Sequence, residues 1–136
     1  MLMKVSDLTG AALDYTVAVA EGATNLRENP HKFNKHLILT LNGHLVFVKN
    51  LRYSTDWGQG GPIIEREGID LYCNVPTNQA HKDPAWRGSW RARYSRCGYG
   101  TDMSHGPTPL IAAMRCYVAS KLGDTVEIPD EIGAKK

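Results

Sequence analysis

The tightest constraint on the fold is the run HLILTLNGHLVFVKN, residues 36–50. Two stretches rich in large apolar and β-branched side chains flank Asn42-Gly43. That dipeptide tolerates the left-handed backbone which a two-residue hairpin turn demands at both central positions, so the run predicts a β-hairpin. Leu37, Leu39 and Leu41 alternate with Ile38 and Thr40, which leaves both faces mostly apolar. Such a hairpin must be covered on at least one face and partly on the other.

The cover is predicted to be helical. SDLTGAALDYTVAVAEG opens the chain as a helix, with Ser6 or Asp7 as N-cap and Gly22 as the stop. Leu8, Ala11, Ala12, Tyr15, Ala18 and Val19 fall at helical spacing and form its expected core face. TPLIAAMRCYVASKLG has Thr108 as N-cap, Pro109 at the first helical position and Gly123 at the end, with Leu110, Met114, Tyr117 and Val118 as the buried stripe. Between them, GPIIEREG predicts a helix of two turns, IDLYCNV (Ile69–Val75) a third strand and WRARYS a fourth. Residues 23–35, 76–89 and the glycine-rich RCGYGTDMSHGPT read as loops. The expected fold class is α+β, a small antiparallel sheet covered by helices in an alpha-beta-alpha sandwich. Residues 1–129 form the single domain and 130–136 a frayed tail.

With 136 residues, 42% of them apolar and 22% charged, the chain is long enough for a core of its own. No apolar run approaches a membrane span. Three cysteines without CxxC spacing argue against a disulfide framework or a zinc site and for reduced thiols in a cytoplasm, and five scattered histidines give no metal pattern. No cofactor is expected. The net charge of +2 is too small to argue for nucleic acid as partner, although Lys82, Arg87, Arg91, Arg93 and Arg96 concentrate positive charge in one segment.

Two stretches carry chemistry. In YSTDWGQGG, residues 53–61, a polar turn of Ser54, Thr55, Asp56, Trp57 and Gln59 runs into Gly60 and Gly61. One reading is plain capping of a helix with Trp57 plugging the core. The other is a pocket wall in which glycine amides at a helix start hold the phosphate or ribose of a ligand. It is neither a Walker A motif nor GxGxxG. In WRGSWRARYSRCGY, residues 86–99, Arg91, Arg93 and Arg96 could pair with phosphate while Trp90 and Tyr94 stack on a base, or the arginines simply solvate a strand face. Alternation puts Trp90, Ala92 and Tyr94 on one side of that strand and Arg91 and Arg93 on the other. Glu65, Arg66 and Glu67 read as an exposed charged turn. Arg115, beside buried Met114, reaches a pocket edge or pairs with an acid. His105 with Asp102 is the nearest approach to an acid–base pair, and no nucleophile accompanies it.

KVSDLTGAALDYTVAVAEG, YSTDWGQGGPIIEREGIDLY and GPTPLIAAMRCYVASKLGDTVEIP together resemble the NinX-like family of small phage and prophage proteins. That family is akin to phage proteins described as an alpha-beta-alpha sandwich domain. The family's Tyr-Ser-Pro-Ser-Thr-Asp turn is shortened here to Tyr53-Ser54-Thr55-Asp56. The resemblance implies a phage origin and an accessory role in the host bacterial cytoplasm, and it supplies no mechanism.

The resulting expectation is a non-enzymatic protein that sequesters a small nucleotide-like host signal to counter host defence. It places Gly58–Gly61 and the Arg87–Arg96 strip around one cavity. The alternative is a module that binds and inhibits or redirects a host protein. Membrane is excluded as a partner, nucleic acid is disfavoured, and a homo-oligomer is compatible with the small size.

Overall fold

The computed structural model describes residues 1–73, 89–94 and 103–133. In chain order these form β1 (Leu2–Lys4), a 3-10 turn (Val5–Asp7), α1 (Gly10–Ala20), β2 (Thr24–Glu28), β3 (Leu37–Leu41), β4 (His44–Phe47), a second 3-10 turn (Val48–Asn50), α2 (Trp57–Glu67), β5 (Ile69–Cys73), β6 (Trp90–Tyr94), β7 (Ser104–Gly106), α3 (Pro109–Leu122), β8 (Thr125–Glu127) and α4 (Asp130–Gly133). The class is α+β with antiparallel pairing, as expected, but the strands form three small sheets and not one: β1-β8, β2-β3-β4 and β5-β6-β7.

Asn42 and Gly43 take φ of 52° and 79°, the left-handed pair that closes β3 onto β4 with Leu41 opposite His44. Residues 24–28, expected to lie in a loop, are an edge strand paired with β3 through Arg27–Ile38 and Thr24–Thr40. Its sequence, TNLRE, has one apolar residue and no alternation, so periodicity could not reveal it. β7 was hidden in the same way inside a glycine-rich stretch.

α3 begins at the predicted cap: the Thr108 side chain accepts from the Ile111 amide. Its four expected core residues are buried, and so are Ala112, Ala113 and Cys116. The helix is enclosed on nearly all sides because it packs against β5, β6 and β7 as well as α1 and α2. α1 differs more from expectation. Ser6 and Asp7 lie exposed outside it, the N-cap position is Thr9, and Leu13, Asp14, Thr16 and Val17 are enclosed; of the expected core face Leu8 and Ala18 are buried, Ala12, Tyr15 and Val19 are half-buried and Ala11 is exposed. A 3-10 turn consumes the first predicted residues, so α1 starts late and turns a different side to α3 and α4. Residues 130–133, placed by expectation in a frayed tail, instead dock as α4 with Ile132 buried in the core.

Candidate functional site

The turn that precedes α2 is divided between core and surface. Tyr53 and Ser54 point inward, whereas Thr55 and Asp56 are exposed. Asp56 caps α2: its Oδ1 accepts from the Gly58 amide at 2.8 Å, and its carbonyl accepts from Gln59 and Gly60 at 3.0 and 2.9 Å. The amides expected to cradle a ligand are therefore committed, and 57–67 is continuous helix beginning before GPIIEREG. Pro62 sits within α2, and Gly68 ends it at φ 69°. Gln59 latches the preceding loop, accepting from the Arg52 amide at 2.8 Å and donating to the Asn50 carbonyl at 3.0 Å. A Cβ on Gly60 would lie 2.5 Å from the Tyr53 carbonyl oxygen and 2.6 Å from Leu110 Cδ2, whereas one on Gly61 would meet nothing within 4 Å. Gly60 is thus a packing residue. Trp57 does not plug the core, since 53% of it is exposed, and it does not line the cleft behind the turn.

Behind this turn a cleft of about 410 Å3 opens between α1, the second 3-10 turn and α4. Its polar residue of most consequence is Asp14, 6% exposed, whose Oδ1 accepts from the Ser54 amide at 2.8 Å. The Ser54 hydroxyl lies beside the same carboxyl without hydrogen-bond geometry. Burial pushes the Asp14 carboxyl up, against the pull of Ser54 and the Arg52 charge. His36, Lys49, Arg52, Thr55 and Glu131 supply polar groups around it, while Leu37, Val48, Leu51 and Ile132 make it apolar elsewhere. Asp14 was missed because it was read only as part of a helix. The available signal was that it is the single charged residue between Leu8 and Ala20.

The basic strand alternates as predicted. Ala92 is fully buried with Trp90 and Tyr94 packed beside it on the core, and the arginines project from the opposite face. There Arg91 and Arg93 lie over the Tyr72 ring, 5.6 and 5.2 Å from its centroid, in cation–π contact. None of Trp90, Arg91, Arg93 or Tyr94 lines the Asp14 cleft. The expected common cavity is not formed by the described residues: the turn and the strand serve different surfaces, and stacking and cationic groups stand on opposite faces. Arg96, Trp86, Arg87, Lys82 and Asp102 lie outside the described residues.

Arg66 and Glu67, expected as part of an exposed charged turn with Glu65, close a network between α1, α2 and α3. Arg66 Nη1 and Nη2 donate to the two carboxylate oxygens of Glu21 at 3.1 and 2.8 Å, and Nε donates to Glu67 Oε2 at 3.0 Å. The Tyr117 hydroxyl donates to Glu21 Oε2 at 2.6 Å, and the Tyr94 hydroxyl lies 2.7 Å from Ser120 Oγ. Burial works to raise the Glu21 carboxyl, but hydrogen bonds from Arg66 and Tyr117 outweigh it and hold the group below its usual range; Arg66 does the same for Glu67. Tyr94 is pushed up to about 12, mainly by burial.

The two glutamates and Asp14 bear on acid stability with opposite signs. Depressed carboxyls contribute stability that is present above their unfolded pKa of 4.5 and lost as pH falls through the folded value. Asp14, raised, is destabilising above its folded pKa and ceases to be so below 3.8. Arg66→Met is therefore expected to lower the melting temperature at neutral pH, modestly because Arg66 is half exposed, with the deficit shrinking as pH falls below about 5. An unaltered acid limb in this variant would remove the network from the account.

A small α+β domain with a cleft floored by one buried carboxylate and rimmed by cations is what fold and site define together. No helix among the described residues is long and apolar enough to cross a membrane, and no described cluster of three His, Cys, Asp or Glu side chains could hold a metal. The chain belongs to the NinX family of bacteriophage P22, whose family model matches residues 4–121. That match takes in the Asp14 helix, the Tyr53–Asp56 turn and nearly all of α3. No curated protein matches the chain.

Proposed function

We propose that this phage protein is a non-enzymatic binder of a small phosphate- and ribose-bearing molecule, held in the Asp14 cleft. In this reading a phage deploys it in the host cytoplasm to sequester a nucleotide-like host signal and blunt a defence. The observation that carries it is Asp14, a carboxylate kept in a partly apolar cleft although burial opposes its ionised form. Only Oδ1 is committed to the protein, so Oδ2 can accept from a ribose hydroxyl or a base N–H. Lys49 and Arg52 supply positive charge for phosphate, the His36 ring can hydrogen-bond it, and Leu37, Val48 and Leu51 supply apolar surface for a base. The volume falls in the range of about 300–1,000 Å3 common to small-molecule pockets. Thr55 is the cleft's hydroxyl, and it makes no hydrogen bond to His36 or Asp14 that would activate it as a nucleophile.

The test is thermal shift and calorimetry with mononucleotides, cyclic dinucleotides and cyclic ADP-ribose isomers. A ligand at 100 times its Kd stabilises by about 2.7 kcal/mol. Asp14→Asn is expected to weaken binding about 10- to 100-fold, the worth of a charge-assisted hydrogen bond. The same variant should be at least as thermostable as the parent at pH 7, with the difference vanishing near pH 4 as the parent's carboxyl protonates. No stabilisation by any of these compounds would overturn the proposal.

Exposed Trp57, Phe33 and Leu45 support a second reading, a module that docks on a host protein. A stoichiometric partner recovered from bacterial lysate by the parent, and lost with Trp57→Ala, would favour it.

A further inference from the structure

A second cleft, of about 450 Å3, lies between α3, β7 and the first 3-10 turn. It does not share a lining residue with the Asp14 cleft. Arg115, half-buried, forms part of its wall. Its Nε donates to the Leu8 carbonyl at 2.9 Å and its Nη1 to the His105 carbonyl at 2.8 Å. Two neutral acceptors fix the guanidinium in place without cancelling its charge. Arg115 makes no ion pair among the described residues; its nearest recorded negative influence is Asp7, acting at a distance. Nη2 makes no hydrogen bond to a described residue.

A half-buried charge that is immobilised but not paired by any described residue is costly unless an anion completes it. Lys4 lines the same cleft, so two cations face one acid, Asp124. Ser6 and Ser104 add hydroxyls suited to oxyanion oxygens, Ser120 lines the wall with its hydroxyl donating to the Tyr117 carbonyl at 2.7 Å, and Met103 and Ala119 add apolar wall. The space greatly exceeds a bare phosphate, which argues for an anionic group carried on an organic body.

We propose that the cleft between Lys4 and Arg115 binds the phosphate group of a small organic phosphomonoester, with the organic portion against Met103 and Ala119. The guanidinium is already positioned by its two carbonyl bonds, so little side-chain freedom is lost when the anion enters.

The experiment is an NMR titration of the 15N-labelled protein with phenyl phosphate and, separately, with inorganic phosphate. Expected are saturable shifts at Arg115 Nε–H and at the amides of Ser6, Ser104 and Ser120, with phenyl phosphate binding more tightly than inorganic phosphate. Asp14→Asn should leave this binding unchanged. Arg115→Met should weaken it about 10-fold or more. Arg115 also braces two backbone segments, so if that variant does not fold, Lys4→Glu at an exposed position decides, with a loss of about 10-fold expected from reversing one phosphate contact. Absence of saturable shifts at these groups, equal affinity for the two probes, or unchanged affinity in Lys4→Glu would overturn the proposal.

Discussion

Gly60→Ala is expected to destabilise the protein by roughly 1–3 kcal/mol, and Gly61→Ala to stabilise it by about 0.5–1 kcal/mol. The two residues are neighbours in one helix and their sequence environment, Gln-Gly-Gly-Pro, gives no basis for opposite signs. The packing does. At Gly60 a new Cβ would enter the space of the Tyr53 carbonyl and of Leu110, and the first of these is backbone that cannot swing aside. Relief would require α2 to move away from the turn that Gln59 latches and Asp56 caps. At Gly61 the added methyl meets open space, so only the lower backbone entropy of the unfolded chain is felt. Urea unfolding of the two variants beside the parent measures both effects. Equal effects at the two positions would contradict close packing at Gly60.

Leu13→Ala should have the larger effect, about 2–5 kcal/mol, and Val19→Ala under about 1 kcal/mol. Leu13 is fully enclosed, whereas Val19 borders shallow surface hollows beside Thr16 and Ala23. A small domain has about 5–15 kcal/mol in all, so Leu13→Ala could consume much of it and lower the melting temperature by about 10 °C or more. Helical spacing alone would assign the greater role to Val19. Comparable losses for the two variants would show that α1 presents the side first inferred from spacing.

These cases mark what the sequence could convey. Signals carried by local backbone chemistry were legible: Asn42-Gly43 gave the hairpin, Thr108-Pro109 the start of α3, Gly68 the end of α2, and alternation the two faces of β6. What depends on distant partners was not. The orientation of α1 follows from α3 and α4, the edge strand β2 from β3, and the role of Gly60 from Tyr53 and Leu110. The candidate site shows the same division. The polar turn at 53–56 stood out, but its glycines signified a helix packed closely against its neighbours. Asp14, separated from Ser54 by 40 residues, could be joined to that turn only by the fold.

Contacts between the earliest and latest elements also bear on how the chain is made. α1 packs on α3, and Met3 of β1 stands opposite Val126 of β8. During synthesis the first helix must therefore wait, its apolar side uncovered, while nearly a hundred further residues are added. Pairings so remote along the chain are slow to form. The core therefore closes only once α3 and β8 have been added to the chain.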